Sequence, residues 1–103
     1  MAAREQKNKM TFEDFQVFIK NDMPPPGLNP LLLALWYDGN GDWESSHNIA
    51  SEIHNQEGSL LHAYLHRKEG DIWNADYWYR QAGTKRREIT LEEEWESLVR
   101  KFL

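Results

Sequence analysis

The chain has 103 residues, five Trp, four Tyr and four Phe, and a net charge of −5 with its four His counted neutral. That is one domain's worth of chain, and the acidic balance excludes a general nucleic-acid binder, which needs a basic stripe. The lack of Cys excludes disulfides and thiolate metal ligands, and no run of about 18 apolar residues is present to span a membrane.

The stretch Met1–Lys9 is polar and charged with no apolar h-region, so it does not read as a secretory signal. The expected organisation is a flexible tail over 1–10, one all-helical domain over 11–103, and a cytoplasmic location. Thr11 caps a first helix with Glu13 and Asp14 in its first turn, and Phe12, Phe15, Phe18 and Ile19 share one face. It ends near Asn21, ahead of Pro24-Pro25-Pro26-Gly27, which cannot continue it. Asn29-Pro30 then opens a second helix, and Leu31–Tyr37 is apolar on every side, as a helix buried all round must be.

Asn40-Gly41-Asp42 closes that helix and opens a third, whose Trp43, Ser46, His47, Ala50, Ile53 and His54 are read on one face. Asn55 caps a fourth helix to about Glu69, Gly70-Asp71 makes the next turn, and a fifth runs from Ile72 to about Ala82. A basic loop, Gly83 to Arg87, precedes the capping box Thr90–Glu93 and an amphipathic helix striped by Leu91, Trp95, Leu98, Val99 and Phe102.

A shift of 29 residues aligns Leu31–Leu35 with Leu60–Tyr64 and Gly41-Asp42-Trp43 with Gly70-Asp71-Ile72. Each copy is helix, Gly-Asp turn, helix, with the small pair Ala34 and Ala63 at corresponding positions. One amphipathic hairpin cannot bury its apolar face alone, so two copies are expected to stack. Gly70, Ala75, Tyr79 and Ala82, with Ala63 before them, stand at the spacing of the tetratricopeptide repeat, which the second copy resembles. The run Ala75–Ala82 is similar to the A-x-x-W-Y-x-x-A signature of SEL-like repeats, and His62–Gly83 resembles a family of small uncharacterised bacterial proteins. The first copy departs from the pattern at Ser46 and Ala50, and 29 residues is shorter than the usual repeat of about 34. The resemblance covers residues 31–83. It implies two stacked hairpins with the helices at 12–20 and 91–102 acting as caps, and it implies no activity.

Two functional readings follow. The leading one is a non-enzymatic helical-repeat module that needs no cofactor and binds a protein or peptide, or a second copy of itself. In the resemblance, Tyr64, Arg67 and Lys68 line the concave groove, where cations clamp a peptide carboxylate. The competing reading of Arg67 and Lys68 is that cations suit the last turn of a helix. Trp73, Tyr77 and Trp78 place aromatics on two faces of the fifth helix, which asks for cover by Trp95 of the last helix or by a partner.

The alternative is a metal-binding or His-dependent protein. His62 and His66 are four apart on one face and replace Leu33 and Tyr37 of the first copy, while His47 and His54 lie on the helix expected to pack against them. A set of His47, His62 and His66 suits zinc or another first-row metal. The plainer alternative is that each imidazole bonds a carboxylate such as Glu69 or Asp76, or a backbone carbonyl. No H-E-x-x-H, G-x-S-x-G or phosphate loop is present, and Ser46 and His47, being neighbours, point to different sides of a helix.

Overall fold

The computed structural model describes residues 9–103, so the expected tail over 1–10 lies almost wholly outside the described residues. The last residue of that stretch, Met10, packs against the core. Among the described residues there are six α-helices and no strand: α1 Phe12–Phe18, α2 Pro30–Gly39, α3 Trp43–Ser51, α4 Gln56–Lys68, α5 Ile72–Gln81 and α6 Leu91–Phe102.

Each helix begins on a side chain that satisfies otherwise orphaned amides. Thr11 and Thr90 form reciprocal capping boxes with Asp14 and Glu93. Asn29, Asp42, Asn55 and Asp71 accept from the amides of Leu32, Ser45, Gly58 and Asn74. The side-chain amide of Asn29 also donates to the Phe102 carbonyl, tying the start of α2 to the end of α6.

The two Gly-Asp turns match in detail. Gly41 and Gly70 have φ of +94° and +91°, the left-handed conformation that ends a helix. The Gly41 and Gly70 amides donate to Asp38 and Arg67, and the Asp42 and Asp71 amides donate to Tyr37 and His66. Each Asp therefore finishes one helix through its backbone and starts the next through its side chain, turning the chain in very few residues.

The turn between α3 and α4 differs from the sequence expectation. The helix α3 stops at Ser51, so Ile53 and His54 do not extend the face of Ser46, His47 and Ala50. The chain must reverse before the Asn55 cap, and it does so by laying Ile53 over the first turn of α4. Gly58 permits this, because a Cβ there would overlap the Ile53 carbonyl oxygen. His54 is exposed, and its Nε2 donates to the Ser51 carbonyl at 3.0 Å.

The helix α2 packs with α3, α3 with α4, and α4 with α5, while α6 touches α1, α2 and α4. Phe15, Leu35, Trp36, Leu61, Leu65, Val99 and Phe102 are among the side chains of one core, and Ala63, Ala75 and Tyr79 form a smaller one between α4 and α5. Buried indoles still need a hydrogen-bond acceptor. Trp36, Trp43 and Trp95 find theirs in the carbonyls of Phe18, Leu65 and Leu35.

Two buried carboxylates tie distant helices together. Asp38 on α2 accepts from Tyr64 Oη at 2.7 Å and Lys68 Nζ at 2.8 Å, both on α4. Glu94 on α6 accepts from Tyr79 Oη on α5 and Arg67 Nη1 on α4, each at 2.6 Å. A buried charge persists only when paired and hydrogen-bonded, and both acids are.

Candidate functional site

Residues His47 on α3 and His62 and His66 on α4 meet at the seam between those helices. Their ring centroids are 4.7 Å (47–62), 5.1 Å (47–66) and 4.8 Å (62–66) apart. One ring nitrogen from each lies within 4.8 Å of the other two. The stacking of His62 on His66 follows from their four-residue spacing on one helix face. The position of His47 follows from the α3–α4 turn that Gly58 permits. His62 and His66 are buried, and His47 is half-buried and opens the seam to solvent.

The seam has aromatic walls. The Trp43 indole stacks on His47 at 4.8 Å, and that of Trp78 stacks on His62 at 4.2 Å. Trp43 is fixed by its donation to the Leu65 carbonyl, so the wall is rigid on the α3 side. Burial lowers the His62 pKa to about 4, reinforced by His47 and His66. Burial also lowers that of His47, followed by repulsion from His66. Both are neutral imidazoles near pH 7 and carry the lone pairs a metal requires.

The hydrogen bonds sort the nitrogens. His62 Nε2 and His47 Nε2 are 2.9 Å apart, so one proton is shared between two lone-pair positions. His66 Nδ1 lies 2.6 Å from Glu69 Oε2; donation to that carboxylate leaves Nε2 as the free lone pair. A carboxylate on the far nitrogen of an imidazole is the usual orienting partner of a metal-ligating His. Asn74 on α5 places its side-chain amide nitrogen 3.5 Å from His66 Nε2.

Three of the four His are brought together, and His54 is not. The acid Asp76, offered as a possible His partner, instead pairs with Arg86 at 2.9 Å. His66, Glu69 and Asp71 form a second convergent set, but both acids are exposed and Glu69 is engaged by His66. The roles of Trp43, Trp78 and Asn74 were not read from the sequence. The sequence puts Trp43 on the face of His47 and Trp78 among the aromatics of the fifth helix without marking either as a wall of the site, and it gives no signal for Asn74.

The proposed groove residues are placed differently. Tyr64 is buried with its hydroxyl on Asp38, and Lys68 pairs with the same carboxylate. Arg67 is held by Glu94 and the Ile89 carbonyl. Both cations already neutralise internal acids, a link across the fold that the helix-dipole explanation does not describe. Trp73 is 81 % exposed and Tyr77 40 %, so the last helix does not cover them; Trp95 packs instead against Phe12 and Phe15. Two clefts, of about 600 and 1000 Å³, lie elsewhere and are lined by other residues than those of the imidazole seam.

No family model, curated protein or solved structure matches the chain. No helix among the described residues is long and apolar enough to cross a membrane.

Proposed function

We propose that this protein is a small helical metal-binding protein that holds zinc, or another first-row divalent metal, with His47, His62 and His66. The observation that carries this reading is the 2.9 Å approach of two imidazole nitrogens beside a third ring oriented by Glu69. Nitrogen ligands on a tetrahedral zinc sit about 3.3 Å apart, given Zn–N bonds of about 2.0 Å, so the His47–His62 pair, now at 2.9 Å, spreads slightly while His66, within 4.8 Å of both, closes on the ion. The ion takes the place of the shared proton, which moves to Nδ1 of the donating ring by tautomerisation so that both rings stay neutral. An all-nitrogen set favours zinc and its late first-row neighbours over magnesium or calcium.

The test is titration of chelator-treated, untagged protein with zinc, followed by calorimetry. One site per chain is expected. H47A should lower affinity at least 100-fold, and E69Q should lower it by about 10–100-fold while the fold, checked by circular dichroism, is kept. Because His47 is only half-buried, H47A separates loss of the ligand from loss of the core. Wild-type affinity in H47A would place the metal at His66, Glu69 and Asp71 or nowhere specific, and would overturn the reading.

A second reading is favoured by the exposure of Trp73, Tyr77 and Ile72 along α5. In it the chain is a tetratricopeptide-like pair of stacked hairpins, α2–α3 and α4–α5, capped by α1 and α6. Its exposed aromatic face on α5 docks a protein, a peptide or a second copy of the chain. The matched Gly-Asp turns support the repeat, and exposed large aromatics are typical of interaction surfaces. The two readings are compatible, since the imidazole seam and the exposed indole of Trp73 occupy different parts of the molecule's surface and interior.

A further inference from the structure

We infer that the metal centre keeps its fourth coordination position open to solvent, that this position accepts a small monodentate anion, and that Asn74 donates a hydrogen bond to the ligand bound there. The inference rests on the metal-binding reading above. Among the described residues, the group that converges with His47, His62 and His66 contains no fourth His, Cys, Asp or Glu. Glu69 is committed to the far nitrogen of His66 and so orients a ligand without occupying a coordination position. Three protein ligands with a free fourth position is the arrangement of zinc sites that bind water or substrate, whereas structural sites close all four.

Charge points the same way. Neutral imidazoles cancel none of a divalent ion's charge, and the Glu69 carboxylate behind His66 offsets only one unit of it, so the centre keeps a net positive charge in a partly desolvated seam. Such a centre lowers the pKa of bound water, which releases a proton to solvent and leaves hydroxide, and it exchanges that water for an anion. Access is from the half-buried His47 side. The indoles stacked on His47 and His62 restrict the space to a ligand of a few atoms. Asn74 completes the site: once His66 Nε2 gives its lone pair to the metal, the Asn74 amide 3.5 Å away has no acceptor there and turns to the fourth ligand.

Cobalt(II) reports on this directly, because its visible d–d bands respond to coordination number and ligand. Full-length protein loaded with cobalt is titrated with azide. The expected result is a saturable change in the bands with one azide per metal. With both proteins fully loaded with cobalt, N74A should bind azide about tenfold more weakly than wild type, as expected for loss of one hydrogen bond to a charged ligand. Bands unmoved by saturating azide would show a closed site and overturn the inference while the metal site stands. Unchanged azide affinity in N74A would remove Asn74 from it. A cobalt complex containing two chains per metal would assign the fourth position to a second copy and also overturn it. Failure of wild-type protein to take up cobalt would sink the metal-binding reading itself.

Discussion

At the scale of single residues, His62 has the most to say about the seam. It faces His47 from α3, His66 along α4 and the uncharged Trp78 of α5, while His66 in turn holds Glu69 and lies beside Asn74. In the metal-free protein its pKa falls from about 6.5 to about 4, first through burial and then through its two His neighbours. Between those values the unfolded chain binds a proton that the folded chain refuses, so stability present above pH 6.5 is lost as pH falls toward 4. H62L, which installs the residue found at the equivalent Leu33, should flatten that decline. Urea denaturation of both proteins across this window measures it; parallel pH profiles would show that His62 is not the group refusing the proton. The four-residue spacing of His62 and His66 and their exchange for Leu33 and Tyr37 made this pair legible in the sequence. His54 was misassigned because helix periodicity carries no signal for where a helix stops. The helix ends at Ser51, three residues before His54, the last residue of the pattern.

At the scale of elements, the glycines separate conformational strain from steric overlap. Gly41 and Gly70 have nothing within 4 Å of a Cβ, so replacing either by Ala costs only the left-handed backbone, about 1–2 kcal/mol. The two costs should be equal within about 0.5 kcal/mol if the turns are equivalent. Gly58 is in an ordinary helical turn, but its Cβ would strike the Ile53 carbonyl, which belongs to backbone and cannot move aside cheaply. G58A should therefore be the most destabilising of the three and should also weaken metal binding, because the α3–α4 turn sets His47 against His62. Denaturant midpoints for the three variants check the order, and G58A as mild as G41A would contradict it. The sequence showed the Gly-Asp turns through the 29-residue repeat. It gave no sign of Gly58, since a close approach between two backbones is a property of the folded path. The ion pairs of the two buried acids, Asp38–Lys68 and Glu94–Arg67, were hidden for the same reason: their partners are about thirty residues apart and on different helices.

At the scale of the molecule, α5 presents Trp73 at 81 % exposure beside Ile72 and Tyr77, whereas the other exposed large apolar side chains, Val17, Met23 and Leu103, are not on that helix. If that face docks a second copy, the wild-type chain should sediment as a concentration-dependent dimer and W73A as a monomer of unchanged helicity; identical sedimentation of the two would argue against self-association. The all-helical class was readable from caps, turns and apolar spacing, as the six helices and absence of strands among the described residues show. Which aromatics faced water was not readable, because Trp73 and Trp78 sit on one short helix and only the placement of α4 and α6 decides which is covered.

The account centres on one metal bridging α3 and α4. Its most direct test is a crystal of the protein grown with zinc and measured on both sides of the zinc absorption edge. A single anomalous peak is predicted about 2.0–2.1 Å from one ring nitrogen each of His47, His62 and His66, with Glu69 still bonded to His66 Nδ1. A peak held instead by His66, Glu69 and Asp71, or no ordered peak with the three rings unchanged, would contradict it.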